Sequence, residues 1–579
     1  MIAKKIAALL CLFTLAVSAQ QLPRVGETLD VSIVNVDVFV TDRDGNRVRG
    51  LTQADFEILE NGVRKPISNF AEYSGSGADA QVGVGGPATS SVAPREKRTF
   101  LIFFERMQMT DFAADPLFAA LKETIKKTVQ PGDAVSVVLW SRERTEHFEF
   151  TDDVTAINAA LDRVAADTQK AQTDVAGIYH EEAAALRAFE ASAARMAAGG
   201  GGRLAGRRNS GANISPGPMP KMQTDENVEG SGTANIYMVI AYNEMKVRVA
   251  AINSAITSMA GIEGKKVLFL AARRLGAVAG AEFAFGNGGS RIAYPIRQRF
   301  GTDQMMKSLV DNANASGVTI YPVHPLPIAS ALPDTTNSGE PDAAGGPISR
   351  ERVQYLTMLN ETTSLSEIAA KTGGLMAAGP QDVVNLLPRI ASDVTDYYSL
   401  AYRVPSTGGD VVRDLVVRTN KPGLTVRTRR QFVEKSDQTR MRDRLRSTLF
   451  RAEQEAPIGI TATAGNAKKN GKRVAVPVQI RIPIGALTLL PDGRGKHAGR
   501  FSVFVAAAAD LDELSDVTEK TQPFDVADAQ LDTARAGWFT YDIDVEVNDK
   551  SRFVAVGVFD EVSKEYGLAR IELPTEGGR

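Results

Sequence analysis

The chain of 579 residues contains one cysteine, two tryptophans and four histidines. Cys11 lies near the amino terminus inside an apolar run, so the rest of the chain has no thiol for disulfides or catalysis. No HExxH, GxSxG or phosphate-loop motif is present. His180-Glu181-Glu182 is interpreted as a helix surface and not as a zinc site. These absences predict that the protein is not an enzyme.

A strong charge of one sign and long apolar runs are also missing. The 67 Lys and Arg residues nearly balance 69 Asp and Glu residues, which does not fit a nucleic-acid-binding protein. Residues 1–19 have the pattern of a signal peptide, with Lys4 and Lys5 before an apolar core and Ala19 at the cleavage site. We expect cleavage after Ala19, no lipid on Cys11, no transmembrane helix and a secreted or periplasmic location.

The chain is organised around the stretch from Lys97 to Asp111, KRTFLIFFERMQMTD. The apolar run 99–104 predicts a strand that is buried on both faces, as in the centre of a parallel sheet. A helix is predicted over 115–129 and a second buried strand over 133–140, which together make a βαβ unit. Ligands of such sheets bind at the carboxyl ends of the strands, so Glu105 marks the place where function is expected.

This first strand resembles that of a von Willebrand factor type A (VWA) domain. In that family the strand ends in Asp-x-Ser-x-Ser, whose oxygens hold a divalent metal that bridges to an acidic partner. The corresponding positions here are Glu105, Met107 and Met109, and Arg273 follows a third predicted strand about where the family has a further Asp. Thioether and guanidinium groups are not ligands of magnesium. We therefore interpret the metal site as degenerate and expect no metal and no cofactor. Whether Glu105 and Arg273 form an ion pair is left open.

Two longer segments resemble bacterial secreted VWFA-related proteins. IAAKTGGLMAAGPQDVVNLLPRIASDVTDYYSLAYRV resembles the end of their VWA-like domain, and VFVTDRDGNRVRGLTQADFEILENG resembles the segment before it. The resemblance covers about residues 28–435. It implies an α/β fold with a doubly wound, mainly parallel sheet flanked by helices.

The region after residue 456 contains short strand patterns separated by turns, which predict a β-sandwich. The expected organisation is a signal peptide (1–19), a small β unit (28–73), a linker (74–94), a VWA-like domain (95–403) with insertions at about 168–230 and 276–300, a β extension (410–435), a helix (436–452) and a β-sandwich (456–575).

The function expected from these features is protein–protein interaction or scaffolding at the cell envelope, without a metal. The first alternative is metal-dependent adhesion through a surviving site, and the second is a secreted hydrolase. The identity of the protein partner, the oligomeric state, and the roles of the insertions and of the carboxyl-terminal domain are left open, because fold does not imply function.

Overall fold

The computed structural model describes residues 31–74, 81–84, 97–106, 114–142, 144–167, 229–281, 294–324, 350–405, 407–451, 456–470, 473–511 and 513–573. The expected signal peptide, Met107, Met109 and most of the first expected insertion lie outside these residues. Within them the chain has a mixed α/β architecture with several sheets, one of which is mainly parallel.

The strands and helices are numbered here in chain order. The strands are β1 (Val31–Thr41), β2 (Phe56–Glu60), β3 (Val63–Lys65), β4 (Ile67–Ser74), β5 (Gln81–Val84), β6 (Arg98–Glu105), β7 (Ala134–Trp140), β8 (Thr145–Thr151), β9 (Lys265–Ala271), β10 (Val318–His324), β11 (Ala377–Ala378), β12 (Tyr397–Pro405), β13 (Val411–Thr419), β14 (Thr425–Arg427), β15 (Gln431–Glu434), β16 (Thr461–Ala464), β17 (Lys468–Asn470), β18 (Arg473–Pro483), β19 (Leu490–Pro491), β20 (Lys496–Ala508), β21 (Thr518–Ala527), β22 (Trp538–Asn548), β23 (Phe553–Asp560) and β24 (Tyr566–Glu572). The α-helices are α1 (Ala114–Thr128), α2 (154–167), α3 (Glu229–Ala260), α4 (Tyr294–Phe300), α5 (Asp303–Ser316), α6 (Arg350–Thr372), α7 (Pro380–Asp393), α8 (Asp437–Thr448) and α9 (Leu531–Arg535).

The central sheet has six strands in the order β11-β10-β9-β6-β7-β8. β6 is parallel to β7 and to β9, and β8 closes one edge antiparallel to β7. All seven residues of β7 and of β9 are buried, which explains why both strands are mainly apolar, apart from Ser136 in β7 and the two lysines that begin β9. The parallel sheet and its βαβ unit, expected from the sequence, are thus confirmed.

Helices cover both faces of this sheet because successive residues of each strand point to opposite sides. On one face Phe104 and Phe269 pack in a cluster with residues of α1, α2 and α7. On the other face Phe103 and Leu270 pack in a cluster with residues of α3, α5 and α6. The carboxyl ends of the parallel strands therefore lie between packed helices, which can hold the side chains of a site in fixed positions.

The expected small β unit is completed by a distant part of the chain. β12 pairs antiparallel with β1 and β4, and β13 pairs antiparallel with β2. The two sheets enclose an apolar core that includes Val36, Ile58, Leu400 and Leu415. The residues of β12 were expected to close the VWA-like domain at 403, but they lie outside the central sheet. The α/β domain is therefore inserted between the two halves of one β unit.

Residues 461–572 form two facing sheets around a separate apolar core. All eight residues of β23 are buried, because the second face of its sheet packs against α8. Met441 and Leu445 of α8 share one cluster with Phe504 of this sandwich and with Ile252 of α3. Helix α8 thus bridges the α/β domain and the carboxyl-terminal sandwich.

None of the described helices is long and apolar enough to cross a membrane.

Candidate functional site at the carboxyl end of the central sheet

Glu105 is the last residue of β6 and is only 2% exposed. Its Oε1 atom accepts a hydrogen bond of 2.7 Å from Nε of Arg248 and lies 2.7 Å from Nη2 of the same guanidinium. Its Oε2 atom accepts a bond of 3.3 Å from the backbone N–H of Arg273. Both oxygens of the carboxylate are therefore occupied by protein donors.

Helix α3 brings Arg248 to this position. Met245, Val249 and Ile252 of the helix pack in the core, and Arg248 is buried on the same side. A buried guanidinium is stable only with a hydrogen-bonded counter-charge. Glu105 supplies that charge, so the two residues depend on each other.

A second buried ionic group lies beside the first. His324 ends β10, and its Nε2 atom is 3.1 Å from Oε2 of Glu361 on α6. The guanidinium Nε of Arg273 is 3.7 Å from the same carboxylate oxygen. Burial raises the pKa of Glu361, but the hydrogen bond with His324 and the charges of Arg273 and Arg274 together hold the pKa below its usual value. Glu361 is thus held as a carboxylate.

A small cavity of about 20 Å³ lies between α3 and α6, next to these groups. Arg248, Arg274, Thr357 and Glu361 are among its lining residues. This volume fits about one water molecule, and the buried Oγ1 of Thr357 has no hydrogen-bond partner among the described residues. The cavity therefore suits a bridging water and not a substrate.

The loop after β9 is fixed against α6 by hydrogen bonds. The side-chain amide of Asn360 donates to the Val278 carbonyl and accepts from the Val278 N–H, each at 3.1 Å. Arg274 has a φ of 57°, which is uncommon for a residue other than glycine. The local backbone at this strand end is thus determined by its surroundings and not by the preference of Arg274.

Of the four residues singled out from the sequence, Glu105 and Arg273 lie together at the strand ends, and Met107 and Met109 lie outside the described residues. Glu105 forms a side-chain ion pair with Arg248, and the backbone amide of Arg273 donates a hydrogen bond to Glu105. Sequence reasoning missed Arg248, His324 and Glu361. The available signal for Arg248 was a charged residue within the apolar spacing of α3. No group of three or more His, Cys, Asp or Glu residues in the described part of the chain is arranged to hold a metal ion.

No protein-family model matches this chain, and no curated protein matches it significantly. Among solved structures, it is similar to an aerotolerance-related membrane protein from Bacteroides fragilis, with 10% identity over 52% of this chain and 98% of that chain and a TM-score of 0.21. It is also similar to the pilus adhesin SpaC from Lactobacillus rhamnosus GG, with 8% identity over 90% of this chain and 60% of that chain and a TM-score of 0.22. TM-scores at this level carry no argument about function.

Proposed function

We propose that this chain is a non-enzymatic, secreted or envelope protein that binds a protein partner through a VWA-like α/β domain without a divalent metal. The strand order supports the VWA-like part of the proposal. Counted in chain order, the six strands of the central sheet lie 3-2-1-4-5-6, which is the doubly wound order, and the third strand is antiparallel. Ligands of such sheets bind outside the carboxyl ends of the strands, where Glu105 lies.

The observation that carries metal independence is the buried pair of Glu105 and Arg248. Magnesium requires about six oxygen ligands in near-octahedral geometry. The carboxylate of Glu105 is already bound on both oxygens, at 2.7 Å by Arg248 and at 3.3 Å by the Arg273 amide. A cation at this position would also be repelled by the adjacent guanidinium. The positive charge that a metal would provide is thus replaced by arginine.

The outer faces of α3 and α6 support protein binding at this end of the sheet. Ile240 and Val247 of α3 are 45% and 41% exposed, and Leu359 of α6 is 45% exposed. Ile240, Glu244 and Val247 have the spacing of one helical stripe, and Glu244 lines the small cavity. Protein–protein interfaces combine an apolar core with a polar rim, and these exposed apolar side chains beside polar groups fit that composition.

The proposal is tested by capturing partners from an envelope extract on the immobilised protein, once with EDTA and once with magnesium. We expect the same partner in both, and its loss with the double variant Ile240→Ser/Val247→Ser. The matched control is Val412→Ser/Val416→Ser on β13, where two valines that are 52% and 44% exposed lie far from the site along the chain.

A partner retained only with magnesium would instead support metal-dependent adhesion. Retention of the partner by Ile240→Ser/Val247→Ser would place the binding surface elsewhere, and equal loss in both double variants would mean that the loss is not specific to this surface.

A further inference from the structure

The carboxyl-terminal sandwich is open along one side. β22 pairs with β18, and β21 pairs with β20, and neither has a second strand neighbour among the described residues. Both are therefore edge strands, one from each sheet, and each has one side without a neighbouring strand in the described part of the chain. On the opposite side of the sandwich, the Ile458 N–H donates to the Tyr566 carbonyl at 3.0 Å and joins the segment before β16 to β24.

An open cavity of about 660 Å³ lies between these two edges. It is at the end away from the connection 528–537, since residues 513–518 and 543–548 line it. Its described lining residues include Glu513, Asp516, Asp544 and Glu546 and no Lys, Arg or His. Glu513 has Lys550 at 3.5 Å, and all four acidic residues are exposed. The opening is thus wide, flanked by strand edges and negatively charged.

The two edges differ in how they resist pairing. β21 contains Lys520 and Pro523, which are residues that natural sheets use to protect an edge. β22 contains neither lysine nor proline over its eleven residues, WFTYDIDVEVN. Its buried residues include Val545 and Val547, whereas Asp542, Asp544 and Glu546 alternate with them on the exposed face. β22 is therefore the edge that remains able to accept another strand.

We propose that the edge of β22 binds an extended segment of a partner protein that carries lysine or arginine at alternate positions. The added strand would hydrogen-bond along the outer edge of β22, as in β-strand addition. Residues directly opposite each other on neighbouring strands approach to about 5 Å between Cβ atoms, so alternate cations would face Asp542, Asp544 and Glu546.

The same charges argue against a second copy of this chain as the occupant. Two β22 edges paired with each other would bring carboxylates opposite carboxylates, which destabilises strand pairing. An acidic or neutral segment gains no charge complementarity in the cavity, because its described lining carries carboxylates and no cationic residue. A basic extended segment is the occupant that satisfies both the backbone edge and the acidic lining. This binding site is separate from the one at the carboxyl end of the central sheet.

A capped heptapeptide of alternating valine and lysine serves as the probe on the intact protein. We expect saturable binding that weakens with salt, and hydrogen-exchange protection of the amides of residues 538–548 but not of 518–527. The same peptide with glutamate in place of lysine should not bind. The double variant Asp544→Lys/Glu546→Lys should lower the affinity by about tenfold or more.

The control variant is Asp532→Lys/Glu565→Lys, which makes the same change of net charge at two exposed residues outside the cavity. It should retain the affinity of the unaltered protein within about twofold. Equal weakening in both variants would overturn the proposal in favour of unspecific attraction. Absence of binding, or exchange protection confined to strands other than β22, would also overturn it, and the exchange measurement needs no variant that might misfold.

Discussion

The carboxylates at the end of the central sheet and those of the carboxyl-terminal cavity have opposite environments. Glu105 and Glu361 are buried, and each has an arginine or histidine within hydrogen-bond distance or close to it. Asp544 and Glu546 are exposed on the edge strand β22. Burial makes the first pair part of the folding energetics, whereas the second pair lies at the solvent-exposed surface of the strand.

Negative charge thus has two different roles in this chain. A buried ion pair contributes little net stability, but removing one partner leaves an uncompensated charge at a large cost. An exposed carboxylate costs almost nothing to change but contributes to steering and selecting a charged partner. Substitutions at the first site should therefore affect stability, and those at the second should affect binding alone.

The largest effect is expected from Arg248→Met. The variant leaves the buried carboxylate of Glu105 without its guanidinium, which should lower the free energy of unfolding by about 3–5 kcal/mol. Urea unfolding can be followed through Trp140, which is buried in β7, in a background where Trp538 of the sandwich is replaced by Phe.

Two further variants test whether this loss of stability comes from the charge of Arg248. Arg297→Met changes an exposed arginine of α4 and should cost less than about 0.5 kcal/mol. Glu105→Leu added to Arg248→Met removes both charges and should recover most of the loss. A loss of stability that the second substitution does not recover would mean that Arg248 acts through packing and not through its charge.

The next effect concerns His147, which lies where β8 meets the end of α8. Its Nε2 atom is 3.0 Å from Ser136 Oγ, and its ring centroid is 5.3 Å from that of Phe450. Burial and the charges of Arg552 and Arg570 lower its pKa to about 3. In the unfolded chain this histidine takes up a proton near pH 6.5, whereas the folded chain keeps it neutral to lower pH. The free energy of unfolding is therefore highest above pH 6.5 and decreases as the pH falls toward 3.

When the pH falls from 7 to 5, the free energy of unfolding should decrease by about 2 kcal/mol more in the parent protein than in His147→Gln. This pH interval lies above the usual pKa values of carboxylates. Melting curves of both proteins at several pH values measure the difference. Identical pH dependence in the two proteins would show that His147 accepts a proton in the folded state.

A smaller effect is expected from Gly557→Ala on β23. An added Cβ would lie 2.2 Å from Cε of Met441 on the bridging helix α8. Because the contacted atom is the end of a flexible side chain, the cost should be about 1 kcal/mol, at the low end for overpacking. Denaturation followed by Trp538 in a Trp140→Phe background measures it; a variant as stable as the parent would indicate that α8 is not tightly docked on the sandwich.

The smallest effect is expected from Asp544→Asn/Glu546→Gln. These exposed residues should change the free energy of unfolding by less than about 0.5 kcal/mol while weakening the binding of the basic peptide. Unfolding curves and peptide titrations of one preparation measure both. A marked loss of stability would mean that the cavity carboxylates are structural, and the contrast with Glu105 would disappear.

The sequence allowed some features to be predicted because they are local. The apolar runs of β6, β7 and β9 indicated a buried parallel sheet, and the position of Glu105 at a strand end followed from the sharp change to polar residues. The pairing of β1 with β12 joins Val36 to Leu400 and depends on tertiary contacts that no local pattern contains. Arg248 was missed for the same reason, since its partner is 143 residues away.

The proposal that the carboxyl end of the central sheet needs no metal rests on the pair of Glu105 and Arg248. Calorimetric titration of the intact protein with magnesium, calcium and manganese tests it most directly. We predict no binding at millimolar metal and no change in melting temperature when EDTA is added, because both oxygens of Glu105 are occupied. Saturable metal binding that raises the melting temperature, and that is lost in Glu105→Ala, would contradict the claim.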